Sequence, residues 1–153
     1  MNQRLDTDTL AEAIAEQLQV LEQLRELARR QSEFIRDSDM TRLLSLLSTK
    51  EPLLLQLRAV DTKLEPFRHD DPDQRVWRSH DDRLRCRQMA ERCTALRSEF
   101  LLLEKQCESE LKHKCDRAAV RLDSMHASSQ AAHAYKSHLP TSSSSRLDLS
   151  SES

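Results

Sequence analysis

Apolar residues recur every three or four positions along the first quarter of the chain. From Leu10, alternating steps of four and three residues reach eight positions, six of them apolar: Leu10, Ile14, Gln17, Leu21, Leu24, Ala28, Gln31 and Ile35. This period of about 3.5 residues is typical of helices that pack along a coiled-coil seam. It predicts a first helix over about residues 8–36, capped by Asp8 or Thr9.

A polar break, Asp37-Ser38-Asp39, separates this helix from a second leucine-rich segment. The break supplies turn and capping side chains, and it predicts a second helix over about residues 40–64. Because the connection is so short, we expect the two helices to be antiparallel neighbours. Pro52 should kink or locally split the second helix. Pro66 should end it, since the residue before a proline disfavours the helical conformation.

The segment from about residue 74 to 133 contains neither proline nor glycine, which predicts one long third helix. A helix of that length would extend about 90 Å. We therefore expect it to project beyond the first two helices, to break, or to pack on another molecule. Its apolar seam slips by one position at Leu111, which perturbs supercoiling without breaking a helix. The seam residues are Cys86, Met89, Cys93, Leu96, Phe100, Leu103, Cys107, Leu111, Cys115, Ala118, Leu122 and Met125.

The end of the chain is rich in serine and poor in apolar residues, which predicts a disordered tail over residues 137–153. Residues 1–136 then form the folded part. The fold class predicted from these patterns is all-α, an antiparallel helical bundle or coiled coil of three helices in which the third is long.

The composition narrows the function as well as the fold. The chain of 153 residues contains no glycine. This excludes the glycine-rich loops that hold phosphates and dinucleotides. A net charge of −2 gives no electrostatic reason to expect nucleic acid. The apolar runs are too short for membrane insertion. Without a signal-peptide pattern near the N-terminus, we expect a cytoplasmic protein with reduced cysteines.

The candidate catalytic and metal-binding residues lack the spacing that such chemistry needs. The four cysteines are seven, fourteen and eight residues apart and fall on the apolar seam, where a thiol packs as a small hydrophobe. Zinc sites usually contain cysteine pairs two to four residues apart. His113 could suggest a phosphotransfer bundle, but the Lys-Gly that follows the histidine in those proteins is missing. We therefore expect that the protein is not an enzyme and that it binds neither a cofactor nor a metal ion.

Two segments carry more leucine than one bundle face can bury. One is LLSLLSTKEPLLLQL at Leu43–Leu57, and the other is FLLL at residues 100–103. Such a surplus indicates either a groove for a partner's amphipathic helix or a homodimer interface. The residues predicted to bind the partner are Leu53, Leu54, Leu57, Phe100, Leu101 and Leu102. The only tyrosine, Tyr135, stands where the third helix gives way to the tail and is a candidate docking residue.

The chain resembles the FlgN-type flagellar export chaperones, most strongly from Ala28 to Leu64. The shared features are a leucine-rich first helix that ends near a glutamine, a short acidic step, a leucine-rich second helix with a central lysine, and a later Ala-Tyr. Here these features fall on Gln31, Asp39, Leu43, Leu44, Leu47, Lys50, Ala134 and Tyr135.

The resemblance implies a cytoplasmic, non-enzymatic chaperone of type III flagellar export. Such a chaperone binds helical terminal segments of hook-associated (hook–filament junction) proteins, keeps them from associating early and delivers them to the export gate. Tyr135 would then dock on the gate. The alternative is a coiled-coil structural or adaptor protein whose leucine surface is a homodimer interface, so both a monomer and a homodimer are open.

Overall fold

The computed structural model describes residues 3–138, which contain three long α-helices. α1 spans Asp6–Arg36, α2 spans Met40–Arg68 and α3 spans His80–His138, and a short 3-10 helix occupies Pro72–Gln74. No strand occurs among the described residues. The predicted all-α bundle of three helices, with the third the longest, is confirmed.

α1 and α2 are antiparallel. Near the middle of α1, Gln17 bonds to Asp61 in the second half of α2, and near its end Gln31 bonds to Lys50 in the first half. Contacts that move forward along one helix thus move backward along the other. This is the arrangement that the three-residue connection predicts.

α3 runs in the same direction as α1. The Cys93 thiol donates to the Ile14 carbonyl at 3.6 Å, and the Cys107 thiol donates to the Ala28 carbonyl at 3.8 Å. Both partners advance by fourteen residues, or two heptads, so the two helices keep a coiled-coil register over this length.

The α1 seam predicted from the sequence is confirmed position by position, because all eight residues are buried: Leu10, Ile14, Gln17, Leu21, Leu24, Ala28, Gln31 and Ile35. The helix begins earlier than predicted, at Asp6, and the residue that caps it is Leu5 rather than Asp8 or Thr9. Asp8 acts from inside the first turn, where its carboxylate accepts from the Leu5 amide at 2.9 Å.

The turn between α1 and α2 ends the first helix without glycine, the residue that most often takes the left-handed conformation at a helix end. Ser38 takes the left-handed conformation, with φ of 56°. The Ser38 amide donates to the Ile35 carbonyl and the Asp39 amide to the Phe34 carbonyl, the paired bonds of a Schellman motif. Asp39 also caps α2, since its carboxylate accepts from the Arg42 amide at 3.2 Å. Three residues therefore end one helix and start the next.

The two prolines in α2 do not interrupt it, and the predicted end at residue 64 is wrong. The helix is continuous through Pro52 and Pro66 and ends at Arg68. The added turn is held by tertiary contacts. Phe67 packs against the core, and the Arg75 guanidinium donates to the Phe67 carbonyl at 2.6 Å. An arginine from the following loop thus satisfies one of the carbonyls that a helix end leaves without an intrahelical donor.

α3 begins at His80, later than the predicted residue 74, because the residues before it pack against the start of α1. The Thr7 hydroxyl donates to the Val76 carbonyl at 2.7 Å. Ser79 supplies the start signal, since its hydroxyl accepts from the Asp82 amide at 3.1 Å. The end also differs, because α3 extends past the predicted residue 133 to His138.

The chain divides into two compact units, Met1–Leu111 and Lys112–Ser153. In the first, α3 buries part of its predicted seam: Cys86, Cys93, Leu96, Phe100 and Cys107. In the second, residues 112–138 bury no side chain, although 112–136 were predicted to belong to the bundle. Residues 139–153, most of the predicted disordered tail, lie outside the described residues.

The core of the first unit consists of two clusters. The larger joins the first part of α1, the second half of α2 and the first part of α3. The smaller contains Ile35, Leu43 and Cys107, with Phe34 and Leu111 packed against it. Within the described part of the chain, no helix combines the length and the apolar character that crossing a bilayer requires.

Candidate partner-binding surface

Two polar clusters join all three helices, and the first centres on Lys50. The Lys50 ammonium donates to the Gln31 amide oxygen at 3.0 Å, forms an ion pair with Glu104, and lies 5.6 Å from the centre of the Phe100 ring. Lys50 is only 5% exposed. A buried ammonium is costly unless it is paired and hydrogen-bonded, and here α1 and α3 supply both partners.

The second cluster centres on Asp61. Its carboxylate accepts from the Gln17 amide at 2.8 Å and from the Arg97 guanidinium at 2.7 Å. Gln17 and Gln31 are the two polar positions of the α1 seam. The charges are reversed between the clusters, since α2 supplies the cation in the first and the anion in the second. This reversal favours one register of α2 against α3.

Lys50 occupies a core position of α2. Steps of three and four residues along this helix give its inward face: Leu43, Leu46, Lys50, Leu53, Leu57, Val60 and Leu64. These residues are buried, except Leu53, which is partly buried. Because the inward face includes this lysine, the leucines of the segment at residues 43–57 that lie off the seam are directed elsewhere.

Leu44, Leu47 and Leu55 are exposed on one side of α2 together with Met40, with the exposed Glu51 between Leu47 and Leu55. We call the four apolar residues the leucine flank. At 3.6 residues per turn the four lie within about a quarter of the helix circumference. Leu44 is 66% exposed and Leu55 58%. Large apolar side chains aligned on one side of a helix form a surface that an amphipathic partner helix can cover.

The structure separates the predicted partner-binding residues of α2 from this flank. Leu57 is buried in the larger core cluster, and Leu53 and Leu54 are partly buried against it. Phe100 of α3 is buried in the same cluster. The prediction is corrected for Leu57 and Phe100, which are core residues because the seams of α2 and α3 pass through them.

Leu101 and Leu102 are exposed, as a partner-binding residue must be, but they lie on different sides of α3. Leu101 is four residues from Arg97 and three from Glu104, both of which pair with α2. It also borders an open groove with Leu64. Leu102 is three residues from Glu99, which pairs with two arginines of α1. Only Leu101 therefore lies on the side of α3 that faces α2.

Sequence reasoning missed Leu44, Leu47 and Leu55 as surface residues, although the signal was present. The strict three-and-four stepping of α2 includes position 50 and excludes those three leucines. Taken alone, a lysine at position 50 indicates a surface position. Once Lys50 is assigned to the core, the remaining leucines fall on the surface.

Tyr135 is 68% exposed on the second unit. The prediction that it docks on a partner remains a prediction.

Three of the four cysteines are core residues, as their positions on the seam predict. Burial raises the pKa of the Cys93 thiol to about 11 and also raises the pKa of Cys86 and Cys107. These thiols stay protonated at neutral pH, and only thiolates react readily. Cys115 is exposed. Among residues 3–138, no group of three acidic, histidine or cysteine side chains is placed to hold a metal ion.

Comparison with protein-family models, curated proteins and solved structures finds no match to this chain. The structural features that bear on function are therefore the bundle and its leucine flank.

Proposed function

We propose that this protein is a cytoplasmic chaperone of flagellar type III export. It binds helical terminal segments of hook-associated proteins, keeps them from associating before export and delivers them to the export gate. In this proposal the protein performs no catalysis, and its binding surface is the leucine flank of α2 together with Leu101.

The leucine flank is the observation that carries the proposal. Fully burying one leucine side chain contributes about 1.5–3 kcal/mol. A helix laid along Leu44, Leu47 and Leu55 therefore gains several such terms, offset by the cost of association. That balance gives moderate, reversible binding, which suits a chaperone that must release its cargo.

The polar clusters support the same proposal indirectly. Gln31 and Lys50, two of the residues that carry the resemblance to FlgN-type chaperones, bond to each other in the core. This pair places a charged residue on the inward face of α2, and the surplus leucines of α2 lie on its outside. The exposed Tyr135 offers a separate docking point for the gate.

The proposal is tested by deleting the gene in its native organism and measuring secreted hook-associated proteins. We expect these proteins to be lost from the culture supernatant while the hook protein is still exported. Restoring a chain with Tyr135→Ala should restore cargo binding in cell extracts but not secretion. Normal secretion from the deletion strain would contradict the chaperone role.

The adaptor alternative predicts a different result for the purified protein. If the leucine flank is a homodimer interface, sedimentation should show a dimer that Leu55→Asp converts to a monomer. Under the chaperone proposal, the sedimentation of the wild type and of this variant should be the same.

A further inference from the structure

The second unit carries an apolar seam of its own on α3. Alternating steps of three and four residues from Cys115 give a heptad pattern with five apolar or small members and one serine: Cys115, Ala118, Leu122, Met125, Ser129 and Ala132. We call these six residues the distal seam. The pattern has the 3.5-residue period of a coiled coil.

The distal seam is uncovered in the second unit. Leu122 is 65% exposed and Met125 is 67% exposed. Most helical stability in proteins comes from packing an amphipathic face and not from helix propensity. A regular seam that buries none of its own residues is therefore suited to a helix from another chain.

The residues beside the distal seam are basic or neutral, never acidic. In the heptad pattern, the two positions that flank the seam on either side carry Lys112, Lys114, Arg121, His126 and His133, with alanine, serine and tyrosine at the rest. In coiled coils these flanking positions meet their counterparts on the partner and decide which partner binds.

The acidic residues of this segment lie away from the seam. Asp116 and Asp123 occupy outer positions of the heptad, where Val120 also lies. Residues 112–138 contain five lysines and arginines against these two aspartates, whereas the whole chain has a net charge of −2. Three of the five, Lys112, Lys114 and Arg121, stand at the edges of the seam, whereas Arg117 lies at an outer position and Lys136 at the next seam position.

This charge pattern disfavours a second copy of the chain as the occupant. In either a parallel or an antiparallel pair of distal seams, the basic flanks of one copy would meet the basic flanks of the other. Like charges across an interface oppose association. A helix with the same apolar seam and acidic flanks would replace that repulsion by attraction.

We propose that the distal seam binds an amphipathic α-helix of another protein whose seam is flanked by glutamate or aspartate. The surface is separate from the leucine flank, and the proposal does not depend on the role in flagellar export.

The test uses two synthetic 21-residue peptides with leucine at both seam positions of each heptad, one with glutamate and one with lysine at every flanking position. Fluorescence anisotropy of each labelled peptide is followed against the full-length protein. We expect the glutamate peptide to bind at least about tenfold more tightly than the lysine peptide at low salt. The ratio should shrink as salt rises, because screening weakens exposed charge pairs.

Two variants locate the binding site. Leu122→Asp should weaken binding of the glutamate peptide at least about tenfold. Val120→Asp is the matched control, since it introduces the same charge two residues away at a side chain that is 68% exposed on the outer face. That variant should bind the glutamate peptide within about twofold of the wild type.

Three results would overturn the proposal. They are equal affinity for the two peptides, an equal loss of binding in both variants, and sedimentation of a dimer that only Leu122→Asp dissociates. The last would assign the distal seam to a second copy of this chain. Because none of these results involves Leu44 or Leu55, the export proposal is judged separately.

Discussion

Lys50 of α2 donates a hydrogen bond to the amide oxygen of Gln31 of α1 at 3.0 Å inside the bundle. Both residues are almost fully buried. Glu104 of α3 completes the cluster by pairing with the same ammonium. One charged side chain therefore ties three helices together.

The Lys50–Glu104 pair should be strongly coupled. Glu104→Gln leaves a buried ammonium without its counter-charge, and we expect a loss of about 2–3 kcal/mol in the free energy of unfolding. Adding Lys50→Met should recover most of that loss, because the uncompensated charge is then gone. Urea unfolding of the two single variants and the double variant, followed by circular dichroism, measures the coupling.

A matched control for this cycle is the ion pair between Lys63 and Glu16, which also joins two helices but lies at the surface. The same cycle there, with Lys63→Met and Glu16→Gln, should give less than about 0.5 kcal/mol. Equal coupling energies in the two pairs would show that burial does not strengthen the interaction between Lys50 and Glu104.

Ser38 should be replaceable by glycine with a gain in stability. A residue other than glycine in the left-handed conformation destabilises the folded state by about 1–2 kcal/mol. Glycine removes this destabilisation, but its larger loss of backbone entropy on folding offsets part of the gain. We expect Ser38→Gly to raise the free energy of unfolding by about 0.5–1 kcal/mol. Asp37→Gly is the control, since φ is −81° there and glycine should destabilise. A loss of stability in Ser38→Gly would contradict the assigned strain.

The sequence predicted the parts of the fold that follow from regular local patterns. All eight seam positions of α1 are buried because one unbroken 3.5-residue period runs along that helix. The turn at residues 37–39 was predicted because three consecutive polar residues interrupt the apolar pattern. The end of α2 and the start of α3 were missed because they depend on tertiary contacts. Phe67 packs on the core and accepts from Arg75, and Val76 accepts from Thr7.

The sequence predicted a surplus of leucine on α2 and α3, but not which of these residues are exposed. The surplus of leucine on α2 was visible in the sequence, and Leu101 and Leu102 are exposed as expected. Leu57 was assigned to the surface because the sequence does not reveal that Lys50 points inward. Phe100 already stood on the predicted seam of α3 and is buried there. Only the contacts with Gln31 and Glu104 show that a lysine fills a core position.

The four thiols should differ sharply in reactivity. Cys115 is exposed, whereas burial raises the pKa of Cys93 to about 11 and that of Cys86 and Cys107 as well. A disulfide reagent at pH 8 should therefore label one thiol quickly and the other three only after unfolding. Cys115→Ser should remove the fast phase. Two or more fast thiols in the wild type would contradict the packing of α3 on α1.

The start of α1 should weaken in acid through Asp8. The Arg78 guanidinium donates to the Asp8 carboxylate, and this hydrogen bond is the main reason that the pKa of Asp8 falls to about 2 from 3.8. Because the folded-state pKa is the lower one, the contribution is complete above about pH 4 and is lost as the pH falls toward 2.

The check is the urea midpoint measured between pH 5 and pH 2. Asp8→Asn should make the midpoint fall less steeply with acid than in the wild type. Arg78→Gln should do the same by a smaller amount, because the Leu5 amide still bonds to the Asp8 carboxylate and keeps its pKa lowered. If only one of the two variants changes the slope, the pair is not the cause.

The most direct test of the central claim is a titration of the purified full-length protein with a helical terminal segment of a hook-associated protein, by isothermal calorimetry. The wild type should bind with a 1:1 stoichiometry. Leu55→Asp should weaken binding at least about tenfold with unchanged helicity, since a charge replaces a leucine that the cargo would cover. Leu84→Asp, at an exposed leucine outside the leucine flank, should bind like the wild type. No binding by the wild type, or equal binding by all three proteins, would contradict the claim that this flank receives export cargo.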